Sequence, residues 1–183
     1  MFLYLPNRSD PMDKIKDEET ETENSIDTDK TIHATARDLV LSRIIDASPY
    51  KIFRAWIEPE FIKQWFTLRP FTTPMVETDP RPGGANLIVM SPDGKEFPNR
   101  GIYLEIVKNK RIVLTDAYTR AWEPSKKPFM TLIITLENLG DKTKYTALVR
   151  HWTEADREEH EKMGFHKGWN QATDQLVALV ETL

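Results

Sequence analysis

The 183-residue sequence contains no cysteine. Disulfides, thiolate nucleophiles and any zinc site built on cysteine are therefore excluded. No apolar run approaches the roughly 20 residues that a helix needs to cross a bilayer. A phosphate-cradling loop is also missing, because Gly83 and Gly84 follow Pro80 and Pro82 and lead into a strand pattern, not a helix. No GxSxG elbow for a serine nucleophile occurs. His160 and His166 stand six apart, whereas a metalloprotease helix needs its two histidines four apart, so no metal is expected. No cofactor is expected either.

A basic surplus is missing as well. The formal net charge is −4, but the charge is unevenly placed. Residues 1–31 hold nine acids against four bases, a balance of −5, which leaves +1 for the remainder. A nearly neutral body gives no reason to expect nucleic acid or an anionic membrane as partner. The acidic, Thr- and Glu-rich segment 1–31 cannot bury enough apolar surface to offset its chain entropy and is expected to be a disordered leader. The short apolar cluster Phe2 to Leu5 has no basic residue before it and no small-residue cleavage pattern after it, so a cytoplasmic address is expected.

Residues 32–183 read as one domain, at 39% hydrophobic and 30% charged residues for the whole chain. Asp38 to Asp46 alternates as a strand does. Ser48 and Pro49 stand where an N-cap and first helical residue belong, and Ile52, Phe53, Trp56 and Ile57 follow at helical spacing. Pro59 ends that helix and opens a second short one through Trp65. Six strand patterns follow, at 72–79, 85–91, 101–107, 111–118, 130–137 and 144–152. Prolines, Asp93-Gly94, Asn109-Lys110 and Gly140-Asp141 lie between them. Strands joined by short turns make an antiparallel meander. The last run, 153–183, reads as one amphipathic helix with Thr153 as N-cap. Its stripe comprises Phe165, Trp169, Ala172, Thr173, Leu176, Val180 and Leu183, with Leu179 at its edge. Gly164 and Gly168 beside the stripe mark a bend or a close backbone approach. The expected fold is α+β, a curved antiparallel sheet of about six to seven strands wrapped around the C-terminal helix.

These segments also carry a resemblance. DLVLSRIIDASPYKIFRAWIEPEFIKQWF, the RPGG and PDG turns, GIYLEI, KPFMTLIITLE and MGFHKGWNQATDQLVAL resemble, in this order, bacterial proteins similar to the activator of heat-shock-protein-90 ATPase. That family lies in the START-like (SRPBCC) superfamily, with the helix-grip fold. The resemblance covers residues from about Asp38 to Leu183. It implies a cavity between sheet and C-terminal helix that takes a small hydrophobic or aromatic molecule. It does not imply a chaperone partner, because chaperone activation belongs to eukaryotic members with an additional N-terminal domain. At Asn86 many relatives carry tryptophan, which implies a roomier or more polar wall at that position.

Strand alternation suggests which side chains face such a cavity. Asn86, Ile88 and Met90 form one inward set, Leu114, Asp116 and Tyr118 a second, and Tyr145, Ala147, Val149 and His151 a third; Glu105 is a further candidate. Asp116, Tyr118 and His151 are the candidates for acid–base work on an apolar wall. Trp65, Met90, Tyr103, Tyr118, Trp122, His151, Phe165, Trp169 and Thr173 are the candidates for ligand contact. A ligand carrier, a polyketide cyclase or aromatase-type enzyme, and a chaperone-associated interaction protein remain as rival functions. A homodimer is left open.

Overall fold

The computed structural model describes residues 34–183; the leader expected over 1–31 lies outside them. Alternation makes the first strand, β1 (Asp38–Ile45): Leu39, Leu41 and Ile45 are buried, and Val40 and Ile44 face out. Two helices begin on prolines, α1 (Pro49–Ile57) and α2 (Pro59–Trp65). The remaining strands of the main sheet are β2 (Thr72–Thr78), β3 (Ala85–Ser91), β4 (Phe97–Val107) and β5 (Arg111–Thr115). After a small hairpin, β6 (Tyr118–Arg120) and β7 (Glu123–Pro124), come β8 (Thr131–Asn138) and β9 (Thr143–Arg150). Helices α3 (Glu154–Lys162) and α4 (Phe165–Val180) close the chain.

The main sheet has seven antiparallel strands in the order β1-β9-β8-β5-β4-β3-β2. β1 and β2 are its opposite edges, so α1 and α2 carry the chain from one edge to the other. Register places Leu39, Val149, Leu132, Leu114 and Tyr103 side by side in one inward row. Leu41, Ala147, Ile134, Ile112 and Ile106 form the next row. Against these rows α4 buries Phe165, Thr173, Leu176, Leu179 and Val180. Each fully buried aliphatic side chain of this kind contributes roughly 1.5–3 kcal/mol. Polar ties set the helix in place. Gln175 donates to the carbonyls of Trp65 (2.6 Å) and Thr67 (3.0 Å) and accepts from the Arg69 N–H (3.0 Å). On the other flank Arg43 reaches Asp174 at 2.6 Å.

Two expected elements are interrupted. The strand expected over 111–118 stops at Thr115, because the Asp116 carboxylate takes the backbone N–H groups of Phe129 and Met130 and turns the chain out of the ladder. Gly101 lets β4 pass this corner: a Cβ there would stand 2.5 Å from the Thr115 carbonyl oxygen. The helix expected over 153–183 is two helices. Gly164, at φ 96°, ends α3 in the left-handed region and redirects the chain into α4. α3 has its own capping box, with Thr153 and Asp156 satisfying each other's backbone N–H. A Cβ at Gly168, within α4, would stand 3.9 Å from the Leu68 side chain, an ordinary contact.

α3 is charged nearly all round, and His160 is its one buried residue. Burial, aided by charge on His151, pushes the His160 imidazole down to about 4 from the ordinary 6.5. The folded state therefore prefers neutral His160, and the unfolded chain takes up this proton first. Stability from this group is complete above about pH 6.5 and declines as pH falls toward 4, by up to ~3 kcal/mol if the whole shift is expressed. Urea titrations between pH 7 and 4.5 should show this slope, and His160→Gln should flatten it. An unchanged slope would separate α3 docking from the imidazole. Gly164→Ala should cost about 1–2 kcal/mol, because alanine resists a positive φ.

Candidate functional site

Beyond the inward row that begins at Leu39, the next positions are Asp116, Met130 and His151. They lie where β5 and β9 have ended and β8 is about to begin, and the Asp116 N–H donates to the Met130 carbonyl at 3.3 Å. At this end of the sheet the inner wall changes from aliphatic to aromatic and ionisable.

A chain of rings runs from the sheet to α4. Phe129 stands edge-on to His151, centroids 5.7 Å apart, and 4.9 Å from His160. His160 meets Phe165 at 5.1 Å, and Phe165 meets Trp169 at 5.4 Å. Within this chain His151 Nε2 and His160 Nδ1 are 2.9 Å apart, and both residues are 2% exposed. The Arg37 carbonyl can only accept, so His151 Nδ1, 3.0 Å away, carries a hydrogen and donates. In the neutral ring Nε2 is then the acceptor, and His160 Nδ1–H donates to it. Two imidazoles thus join the end of β9 to α3 through a directed pair of hydrogen bonds.

Asp116 is the acid of the same region. Burial raises its pKa above the ordinary carboxylate range, despite the Phe129 and Met130 N–H groups that favour its charged form and the nearby charge on His151. Acid and imidazole are therefore displaced toward each other, the acid upward and His160 downward. Such a pair can hold an uncharged ligand by hydrogen bonds or pass a proton to one. Among the described residues no group of three His, Asp or Glu side chains is arranged to hold a metal ion.

The residues singled out in the sequence do not all meet. His151, Phe165 and Trp169 share the ring chain, and Thr173 sits one turn above Trp169, donating to its carbonyl at 2.7 Å. Met90, half-buried, and Tyr103, fully buried, lie on the β3–β4 side of the inner face. Tyr103 accepts from the Asn86 amide at 3.0 Å, and burial pushes its hydroxyl up to about 12. Asn86 therefore puts a polar pair on that wall. Tyr118 is half-buried on the separate β6–β7 ladder. Trp65 is packed in the core against Trp56, rings 4.7 Å apart, with its indole donating to the Ala55 carbonyl. Trp122 is 90% exposed at the turn of the β6–β7 hairpin and lines no interior wall. Glu105 faces outward, because a bulge between Tyr103 and Glu105 shifts the register and pairs it with Val113; it lies 3.6 Å from Arg111.

His160 and Phe129 are the members that sequence spacing missed. His151 and His160 invite a metal reading in the sequence, but the helix rule tests only His160 against His166, and the two imidazoles bond each other across the strand–helix corner. A lone histidine in an otherwise charged helix was the available signal. Phe129 precedes the strand pattern at 130–137, so alternation assigned it no face.

Among known proteins, the model for the family described as Activator of Hsp90 ATPase homolog 1-like protein matches residues 46–181. No curated protein matches the sequence. Among solved structures, a protein from Nitrosomonas europaea is 36% identical over 82% of this chain and 97% of its own, with a TM-score of 0.78. A Chromobacterium violaceum protein is 28% identical, covering 79% of this chain and 97% of its own, at 0.63. A Rhodobacter sphaeroides protein, 17% identical over 82% of this chain and 97% of its own at 0.72, shares the fold. With the sheet, the gripping helix and the ordered turns all in place, the chain belongs to the Activator of Hsp90 ATPase homolog 1-like family, in the START-like helix-grip fold.

Proposed function

We propose that this protein binds a small, uncharged, hydrophobic or aromatic molecule between the open end of the sheet and the first turns of α4. The observation that carries the reading is the wall itself. Half-buried Leu114, Met130, Trp169 and Ala172 border a few polar groups, Asp116, His151 and His160. Binding sites for small molecules combine apolar area with a small number of placed polar groups. Burial disfavours the charged form of the Asp116 acid and of the His160 imidazole alike, as the apolar surroundings of an uncharged ligand would. Met130 and Met90 add adaptable apolar surface.

The same polar groups favour one second reading, a cyclase or aromatase-type enzyme in which Asp116 and His151 move protons on a bound substrate. The two readings part at turnover. A carrier shows ligand-dependent stabilisation without product, and an enzyme loses turnover while keeping its fold when Asp116 is replaced by Asn.

Native mass spectrometry of freshly purified protein, followed by thermal shifts against a panel of neutral aromatic compounds, tests the proposal. Trp169→Ala should weaken binding by about tenfold or more with a small change in Tm. Leu179→Ala should lower stability by roughly 2–5 kcal/mol and leave affinity nearly intact. Equal effects of the two substitutions on binding, or no compound bound by the unmodified protein, would reduce this wall to ordinary core.

A further inference from the structure

The β6–β7 hairpin breaks a local rule for no gain in the fold. Its two turn residues, Ala121 and Trp122, lie between the paired Arg120 and Glu123. Trp122 holds φ at 63°, in the left-handed region. Among the described residues, the other two non-glycine residues at positive φ, Asp93 and Asn109, are of the types that tolerate it. A tryptophan there is strained, and at 90% exposure it gains no burial in return. Glycine or asparagine would serve the turn better. A strained residue with no structural return points to a role outside the fold.

The surroundings specify the partner. Within 118–129 three bases, Arg120, Lys126 and Lys127, stand against one acid, Glu123. Arg120 and Lys126 are exposed. The near-neutral charge of the body conceals this concentration, which is why whole-chain charge argued against an anionic surface. The tip of the hairpin packs on β3 and β4, whereas α3 packs on β1 and α4; the segment meets α3 only at its far end, where Phe129 stands 4.9 Å from His160. An indole on a rigid tip beside cations has the chemistry of the bilayer interface. There the ring lies among the headgroups and the cations meet phosphates.

We propose that the β6–β7 hairpin docks this protein on anionic phospholipid surfaces, with Trp122 entering the headgroup layer and Arg120 and Lys126 pairing with lipid phosphates. This docking does not depend on an interior ligand.

Flotation of the full chain with vesicles tests it, using phosphatidylcholine alone or with about one third phosphatidylglycerol, at about 0.1 M salt. The expected result is binding to the anionic vesicles, lost progressively as salt is raised. Each cation near such a surface is worth roughly fivefold, so Arg120→Gln combined with Lys126→Gln should weaken binding on the order of 25-fold. Trp122→Gly is the decisive variant. It relieves the backbone, so Tm should stay equal or rise, while vesicle binding falls about tenfold or more. A clear drop in Tm would show that the indole serves the fold, and would overturn the proposal. So would binding that Trp122→Gly leaves unchanged, or the absence of binding to anionic vesicles. The last outcome, with Tm preserved, would leave a protein surface as the occupant of the hairpin.

Discussion

The structure depends on a mismatch between one sheet and one helix. Seven strands spaced ~4.8 Å apart span about 29 Å, whereas a helix with its side chains is about 10 Å wide. α4 cannot cover the inner face alone. α1 and α2 cover more of it by crossing from the β1 edge to the β2 edge, with Trp56 and Trp65 filling the corner they make. At the end of the sheet where Asp116, Met130 and His151 stand, α3 adds cover through His160, which bonds His151. There burial is deep enough to shift the pKa of Asp116 and of His160, yet incomplete around Leu114, Met130 and Trp169.

The fastening of α4 follows from the same constraint. A helix pressed into a curved sheet by apolar contact alone could slide along its axis, because such contact is non-directional. Gln175 and Arg43 supply direction on opposite flanks, the first to the α2–β2 connection and the second from β1 to Asp174. Gln175 lies among carbonyl and N–H groups of a turn, where its amide satisfies three backbone groups. The exposed Arg43–Asp174 pair adds register more than stability. Between these ties and Gly164, the turns from Phe165 to Thr173 are held to the site from both ends.

Much of this was legible in the sequence because it rests on periodicity. Leu39, Leu41 and Ile45 alternate, Pro49 and Pro59 mark helix starts, and the stripe faces inward as its spacing suggests, burying Phe165, Thr173, Leu176 and Val180 and half-burying Trp169 and Ala172. The inward phases of Asn86, Tyr145, Ala147, Val149 and His151 agree with the observed register and burial. The illegible parts are those decided by a single contact at an element's end. Asp116 leaves the β5 ladder because two N–H groups from a distant loop capture its carboxylate. Glu105 faces outward because one residue bulges. His160 finds His151 only after a corner that no helical period describes. Trp122 lies in a turn with neither glycine nor asparagine, so nothing local announced its positive φ.

The histidine pair gives this geometry a consequence for motion. α3 presents one buried side chain to the rest of the protein, and that side chain bonds to an imidazole at the end of the wall. Whatever disturbs His151 therefore acts on α3, and whatever moves α3 alters the same wall. Asp116 opposes this in sign. Its raised pKa means that the folded state takes up that proton earlier than the unfolded chain, so acidification stabilises through Asp116 while it destabilises through His160. The His160 shift is the larger of the two, and that imidazole is what fastens α3. Mild acid should therefore loosen α3 before it disturbs the sheet, which is held by backbone ladders and aliphatic rows that do not titrate.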